Sequence, residues 1–195
     1  MRDMQMKNSM TYLRILLTAA LLTAISSCSE DFTFTQYPCY VVIDNSVHQD
    51  ATLASAMNAV SPGIFCTISA DEGRRQYSFK NNAGMESNVN YNAVDLRTTR
   101  QVGMNNAIIV GYGTLTTEFL AYDRECPVCY DPNAVPVRSR PLTVGGDGTA
   151  QCATCKRKFD MNAGGYCITE GGVKGMNRYR CSTTGPFGVI SVRNK

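Results

Sequence analysis

The sequence predicts a mostly β fold with two tight cysteine loops in its C-terminal half, and three observations carry that expectation. Short apolar and β-branched runs recur between Gly, Pro, Asn and Asp residues. Only one stretch has the composition of a helix, and four of the nine cysteines fall as two C-x2-C pairs separated by 22 residues.

The chain opens with Arg2, Lys7 and Arg14, runs through the apolar segment Ile15 to Ile25 and reaches Ser26, Ser27 and Cys28. An apolar segment this short cannot span a bilayer and marks a secretory signal. Small residues directly before a cysteine resemble the lipobox of bacterial lipoproteins, which implies that residues 1–27 are removed and that Cys28 is lipidated. Ser29, Glu30 and Asp31 then form an acidic run similar to the surface-export signal of Bacteroidetes-type lipoproteins. The expected location is the bacterial cell envelope, at the outer membrane or cell surface, with the N-terminal lipid as the membrane partner.

Beyond the leader 168 residues remain, enough for one domain or two small ones. The leader holds three basic residues and one acidic, so the formal charge of +3 falls to about +1 in the mature chain. Nothing in that balance, and no basic or arginine-rich run, points to a nucleic-acid partner. No second apolar segment is long enough to cross a membrane.

Strands are expected at 40–43 (YVVI), 64–69 (IFCTIS), 107–113 (AIIVGYG), 118–123 (EFLAYD) and 187–192 (FGVISV). The single helix is expected over 49–60, with Asp50 as its N-cap and Ser61-Pro62-Gly63 as its stop. Residues 81–105 are rich in Asn and lack long apolar runs, which reads as a connecting loop. A soft boundary near residue 105 then divides an N-terminal β-rich segment and linker, 28–104, from a cysteine-bearing domain, 105–195.

Setting Cys28 aside for lipid leaves eight cysteines, an even number suited to an oxidising compartment. Cys126, Cys129, Cys152 and Cys155 have the spacing of two knuckles that aim four thiolates at one metal ion. Two alternatives stay open: disulfides that cross-link the two loops, and a thioredoxin-like redox pair. Cys167 and Cys181 flank a glycine-containing stretch suited to a hairpin and are possible disulfide partners. Cys39 and Cys66, which bracket the expected helix, are a second possible pair, and buried free thiols are the alternative for both.

The stretch from "AIIVGYG" through "EFLAYDRECPVC", "GTAQCATCKRKFDMNAGG" and "RYRCSTTGPFGVISVRN" resembles a Rieske iron–sulfur domain over roughly residues 105–194. In that family a Cys-x-His loop and a Cys-x2-His loop followed by Phe-Asp hold a [2Fe–2S] cluster. Cys152 and Cys155 stand at the second-loop positions, with Phe159 and Asp160 at the matching offset. Three departures change the chemistry. Cys155 replaces a histidine, the first loop reads C-x2-C, and Thr154 stands where some members carry a further loop cysteine. The sole histidine, His48, lies in the N-terminal part and reads as exposed or near a helix cap, so a two-histidine centre is excluded.

The resemblance therefore implies a Rieske-like β-sandwich with a rubredoxin- or zinc-ribbon-like two-loop subdomain. Its four-cysteine centre would take zinc, one iron or a 2Fe-2S cluster, and sequence does not distinguish these. Iron implies electron transfer to a redox partner. Zinc implies a structural staple in a non-enzymatic binding or assembly module. Lys156, Arg157 and Lys158 follow the last thiolate and either offset its negative charge or form a solvated loop. The glycines of 111–113 and 145–148 open no helix and read as turn glycines rather than a nucleotide loop. Asp123, Glu125 and Asp160 are paired with no nucleophile or base, so no catalytic residues are assigned. Tyr179 reads as core packing.

Overall fold

The computed structural model describes residues 34–171 and 174–195. The leader, Cys28 and the acidic run after it lie outside the described residues. The described residues form one compact unit.

Two antiparallel sheets account for the strands. The larger contains β1 (Tyr40–Asp44), β2 (Phe65–Asp71), β3 (Gln76–Asn81), β4 (Glu86–Asn90), β5 (Ala107–Tyr112), β6 (Phe119–Asp123), β11 (Arg178–Thr183) and β12 (Val189–Arg193). Their order is β1-β12-β11-β6-β5-β2-β3-β4, and the sheet is curled. The smaller contains β7 (Leu142–Val144), β8 (Thr149–Cys152), β9 (Lys158–Asp160) and β10 (Tyr166–Cys167), in the order β10-β9-β8-β7.

The five expected strands are β1, β2, β5, β6 and β12. In β2, alternation decides everything: Cys66, Ile68 and Ala70 enter one core while Phe65 enters another. Residue 105 lies between neighbouring strands of one sheet, because β2 pairs with β5 from Phe65↔Gly111 to Ser69↔Ala107. The connecting-loop reading of 81–105 is corrected in part. Asn81 accepts from the Ala83 and Met85 N–H groups and closes a hairpin into β4, and Asp95–Arg97 forms a single 3-10 turn. β4 escapes a hydrophobicity reading because its outer residues Glu86, Asn88 and Asn90 are exposed.

The expected helix is α2 (Ala51–Ala56), and a separate short turn α1 (Asn45–His48) precedes it. Asp50 does cap α2, its carboxylate accepting from Leu53 N at 2.8 Å. The helix stops four residues early because Asn58 bonds its own downstream backbone: its side chain accepts from Val60 N and its carbonyl from Ser61 N.

Two cores result, one on each face of the large sheet. The first joins Leu53, Ala56 and Met57 of the α2 region to Val41, Ile68, Tyr77, Phe79, Val110 and Tyr179. The second joins Phe65, Ile109, Leu120 and Tyr122 of the large sheet to Leu142, Ala150, Phe159 and Met161 of the small one. Full burial of a side chain such as Phe159 contributes roughly 2–3 kcal/mol, so this second core is what docks the small sheet. Among the described residues no helix is long and apolar enough to cross a membrane.

Candidate metal centre

The two cysteine loops are built alike. In the first, which follows β6, Tyr130 N donates to Cys126 O at 3.0 Å; in the second, between β8 and β9, Lys156 N donates to Cys152 O at 3.0 Å. Each pair therefore sits in the same tight five-residue turn, and Lys156 completes the second with φ of 61°. Within the 22-residue gap one short segment, residues 140–144 with β7 at its end, meets both loops: Cys126 N donates to Arg140 O at 2.9 Å, and Leu142 pairs with Cys152. That segment thus sets both loops in register.

The result gathers all four thiols. The sulfurs of Cys126, Cys129, Cys152 and Cys155 lie within 4.8 Å of one another, with Cys126 and Cys155 at 3.8 Å. Four thiolates about 2.3 Å from a central ion stand roughly 3.8 Å apart at the corners of a tetrahedron. One ion fits this donor set. Four thiolates also fill a tetrahedral ion, leaving no position open for substrate.

Burial and hydrogen bonding divide the cysteines. Cys126 and Cys152 are buried in the second core, whereas Cys129 and Cys155 are partly exposed. Burial pushes the Cys126 thiol up, opposed by the backbone N–H groups of Val128 and Cys129 that point at it. Burial also raises Cys129. At Cys155 burial is outweighed by the Arg157 backbone N–H and the neighbouring Cys129 and Cys152 thiols, and its pKa falls to about 6. Of the three basic residues after this thiolate, Arg157 supports its charge and Lys156 supplies the turn.

The remaining sequence candidates fall elsewhere. Phe159 is fully buried beneath the loops, and Asp160 accepts from Asn162 N at 2.9 Å as a turn former. Asp123 is buried, accepting from Tyr179 Oη, Met104 N and Glu125 N at 2.7 Å each. Desolvation raises its pKa against those donors. Tyr179 is therefore core, as expected, and also a hydrogen-bond donor. Glu125 accepts from Asn105 Nδ2, Ser139 Oγ and Arg140 N, fastening the loop that carries Cys126. In sequence, the signal of this anchoring role is the Asp-x-Glu spacing of Asp123 and Glu125 just before the first knuckle.

All eight described cysteines are free thiols, so the two possible disulfides are not formed. Cys167 packs on the second core while Cys181 packs on the first and donates to Phe119 O, placing them on opposite faces of the large sheet. Cys39 precedes β1 and Cys66 lies on β2, with four strands between those two in the sheet order. His48 is at the end of α1, as a residue near a helix cap, but its side chain is only 5% exposed. It is paired with Asp95 at 3.0 Å, correcting the exposed alternative. The glycine runs are structural: a side chain at Gly111 would strike the Ile64 carbonyl, and Gly145 to Gly148 turn β7 into β8. No family model, curated protein or solved structure matches the chain.

Proposed function

We propose that Cys126, Cys129, Cys152 and Cys155 hold one zinc ion as a structural staple, in a lipid-anchored protein of the bacterial cell envelope that works as a binding or assembly module. The observation that carries this reading is the packing of four sulfurs within 4.8 Å, which matches one closed tetrahedral ion. Two of those sulfurs belong to the core that docks the small sheet, so the ion adds a cross-link where three short strands and a two-residue strand have little surface of their own to bury. Two ligand loops carried beside a small antiparallel sheet support a Rieske-like scaffold adapted from a two-iron cluster to a single ion. Cys28 as the lipid site rests on its sequence context alone.

A second reading is favoured by the partial exposure of Cys129 and Cys155. An ion reached from that edge and able to change valence would suit one-electron exchange with a redox partner, making the same site a mononuclear iron centre. Elemental analysis and the visible spectrum of protein purified without oxygen or added metal decide between them. One zinc per chain and no colour is the expected result. One iron with thiolate charge-transfer bands would replace the structural reading with electron transfer. Two irons with acid-labile sulfide would overturn the single-ion geometry, and absence of both metal and free thiols would make the loops disulfide-linked.

A further inference from the structure

The outer face of β2, β3 and β4 carries a second feature, separate from the cysteine loops. A cleft of about 420 Å³ lies between this face and β7, within the size range of small-molecule sites. Its walls include Thr67, Ser69, Ser78, Asn88, Arg124 and Thr143.

Register explains why these side chains meet. Ser69 pairs with Ala107 on one side and with Ser78 on the other, and Ser78 pairs with Asn88. Arg124 N donates to Ala107 O, continuing the row beyond β5. Alternation then puts Arg124, Ala107, Ser69, Ser78 and Asn88 in one line across the sheet. From Arg124 to Ser78 this line covers about 14 Å. Ala107, the smallest member, is buried between them. Arg124 itself is held by a hydrogen bond from Leu142 N to its carbonyl at 2.7 Å, so the wall is fixed by β7.

The charges in this cleft are unequal in their pairing. Lys80 is matched by Glu86 across the β3–β4 hairpin. The Arg124 guanidinium, by contrast, forms no hydrogen bond or ion pair among the described residues, although it is only partly exposed. The hydroxyls of Thr67, Ser69 and Thr143 also lack a protein partner among the described residues. A guanidinium presents a planar fork that matches a carboxylate, and one cation balances one carboxylate charge. Hydroxyls in a row suit a ligand with several hydroxyls of its own.

We propose that this cleft binds a small hydroxylated monocarboxylate of the sugar-acid class, its carboxylate on Arg124 and its hydroxyls along Thr67, Ser69 and Thr143, with Ser78 Oγ, which already donates to Asn88 Oδ1, left to accept. Dianionic phosphate is disfavoured because the second cation in the cleft is already neutralised.

Isothermal titration calorimetry on the full-length protein tests this, with sodium D-gluconate and sodium D-glucuronate as probes and D-glucose and inorganic phosphate as comparators. At least one sugar acid should bind, about tenfold tighter than glucose or phosphate. Arg124→Gln should remove that advantage while leaving glucose binding unchanged. Because Arg124 lies near Cys126, Ser69→Val provides an independent arm on β2, and it should weaken the sugar acid severalfold with metal content and thermal midpoint unaltered. Failure of both sugar acids to bind, equal affinity for glucose, tighter binding of phosphate, or unchanged binding in both variants would each overturn the proposal.

Discussion

Tyr179→Phe isolates one hydrogen bond in the middle of the first core. The Tyr179 hydroxyl is fully buried and donates to Asp123 Oδ2 at 2.7 Å, and the ring can keep its packing when only the oxygen is removed. Asp123 would retain Met104 N and Glu125 N, so the carboxylate is weakened rather than stranded. A hydrogen bond to a charged group contributes about 1.5–3 kcal/mol, and one to the protonated acid about 1 kcal/mol. The substitution should therefore cost more at the pH where Asp123 is ionised. The sign follows from the proton balance. Burial already raises Asp123, and loss of a donor that favours the carboxylate raises it further, so the variant holds its proton to higher pH than the wild type. Stability lost to the mutation must grow as pH rises through that interval. Urea unfolding of both proteins from pH 5 to 8, at matched metal content, measures it. A cost below about 0.5 kcal/mol at pH 8, or one that shrinks as pH rises, would refute the assignment of this bond to an ionised Asp123.

Cys152→Ser should lose the metal and leave β7 to β10 with faster amide exchange than the large sheet; unchanged metal content and exchange would dismiss the staple. Phe159→Ala should cost about 3–5 kcal/mol in urea unfolding, because the residue is fully buried where the two sheets meet, and a loss below 1 kcal/mol would mean that this core does not dock the small sheet. Replacing Cys167 and Cys181 together with Ser should shift the thermal midpoint equally with and without reductant, since the two are free thiols on different cores; a reductant-dependent difference would reveal a bridge. Cys28→Ser should move the protein from the membrane fraction to the soluble one, and continued membrane association would exclude lipidation at that residue.

Local chemistry was legible wherever it was carried by neighbours in the chain. Short apolar and β-branched runs marked β1, β2, β5, β6 and β12, and Asp50 announced α2 because a cap acts over three residues. The spacing of Cys126, Cys129, Cys152 and Cys155 identified the donor set, since each knuckle is a local turn. Strands such as β4 and β7 were illegible, because their residues are polar or few and become strands only by pairing with a partner already in place.

Tertiary structure alone decided the rest. The approach of the two knuckles to within 4.8 Å depends on the segment 140–144 joining Arg140 to Cys126 and, through β7, Leu142 to Cys152, a register with no signature in the intervening residues. That approach, rather than the cysteine count, is what lets the four sulfurs share one site. The same holds for the possible disulfides, where even numbers and plausible spacing suggested pairs but the faces of one sheet divided Cys167 from Cys181. Arg124 gave no signal either, because a lone arginine in sequence becomes a candidate anion site only when cross-strand register lays hydroxyls beside it and leaves it without a carboxylate. Sequence set the donors and the alternation. Long-range pairing fixed which of them meet, because distances between residues far apart in the chain are a property of the folded sheets.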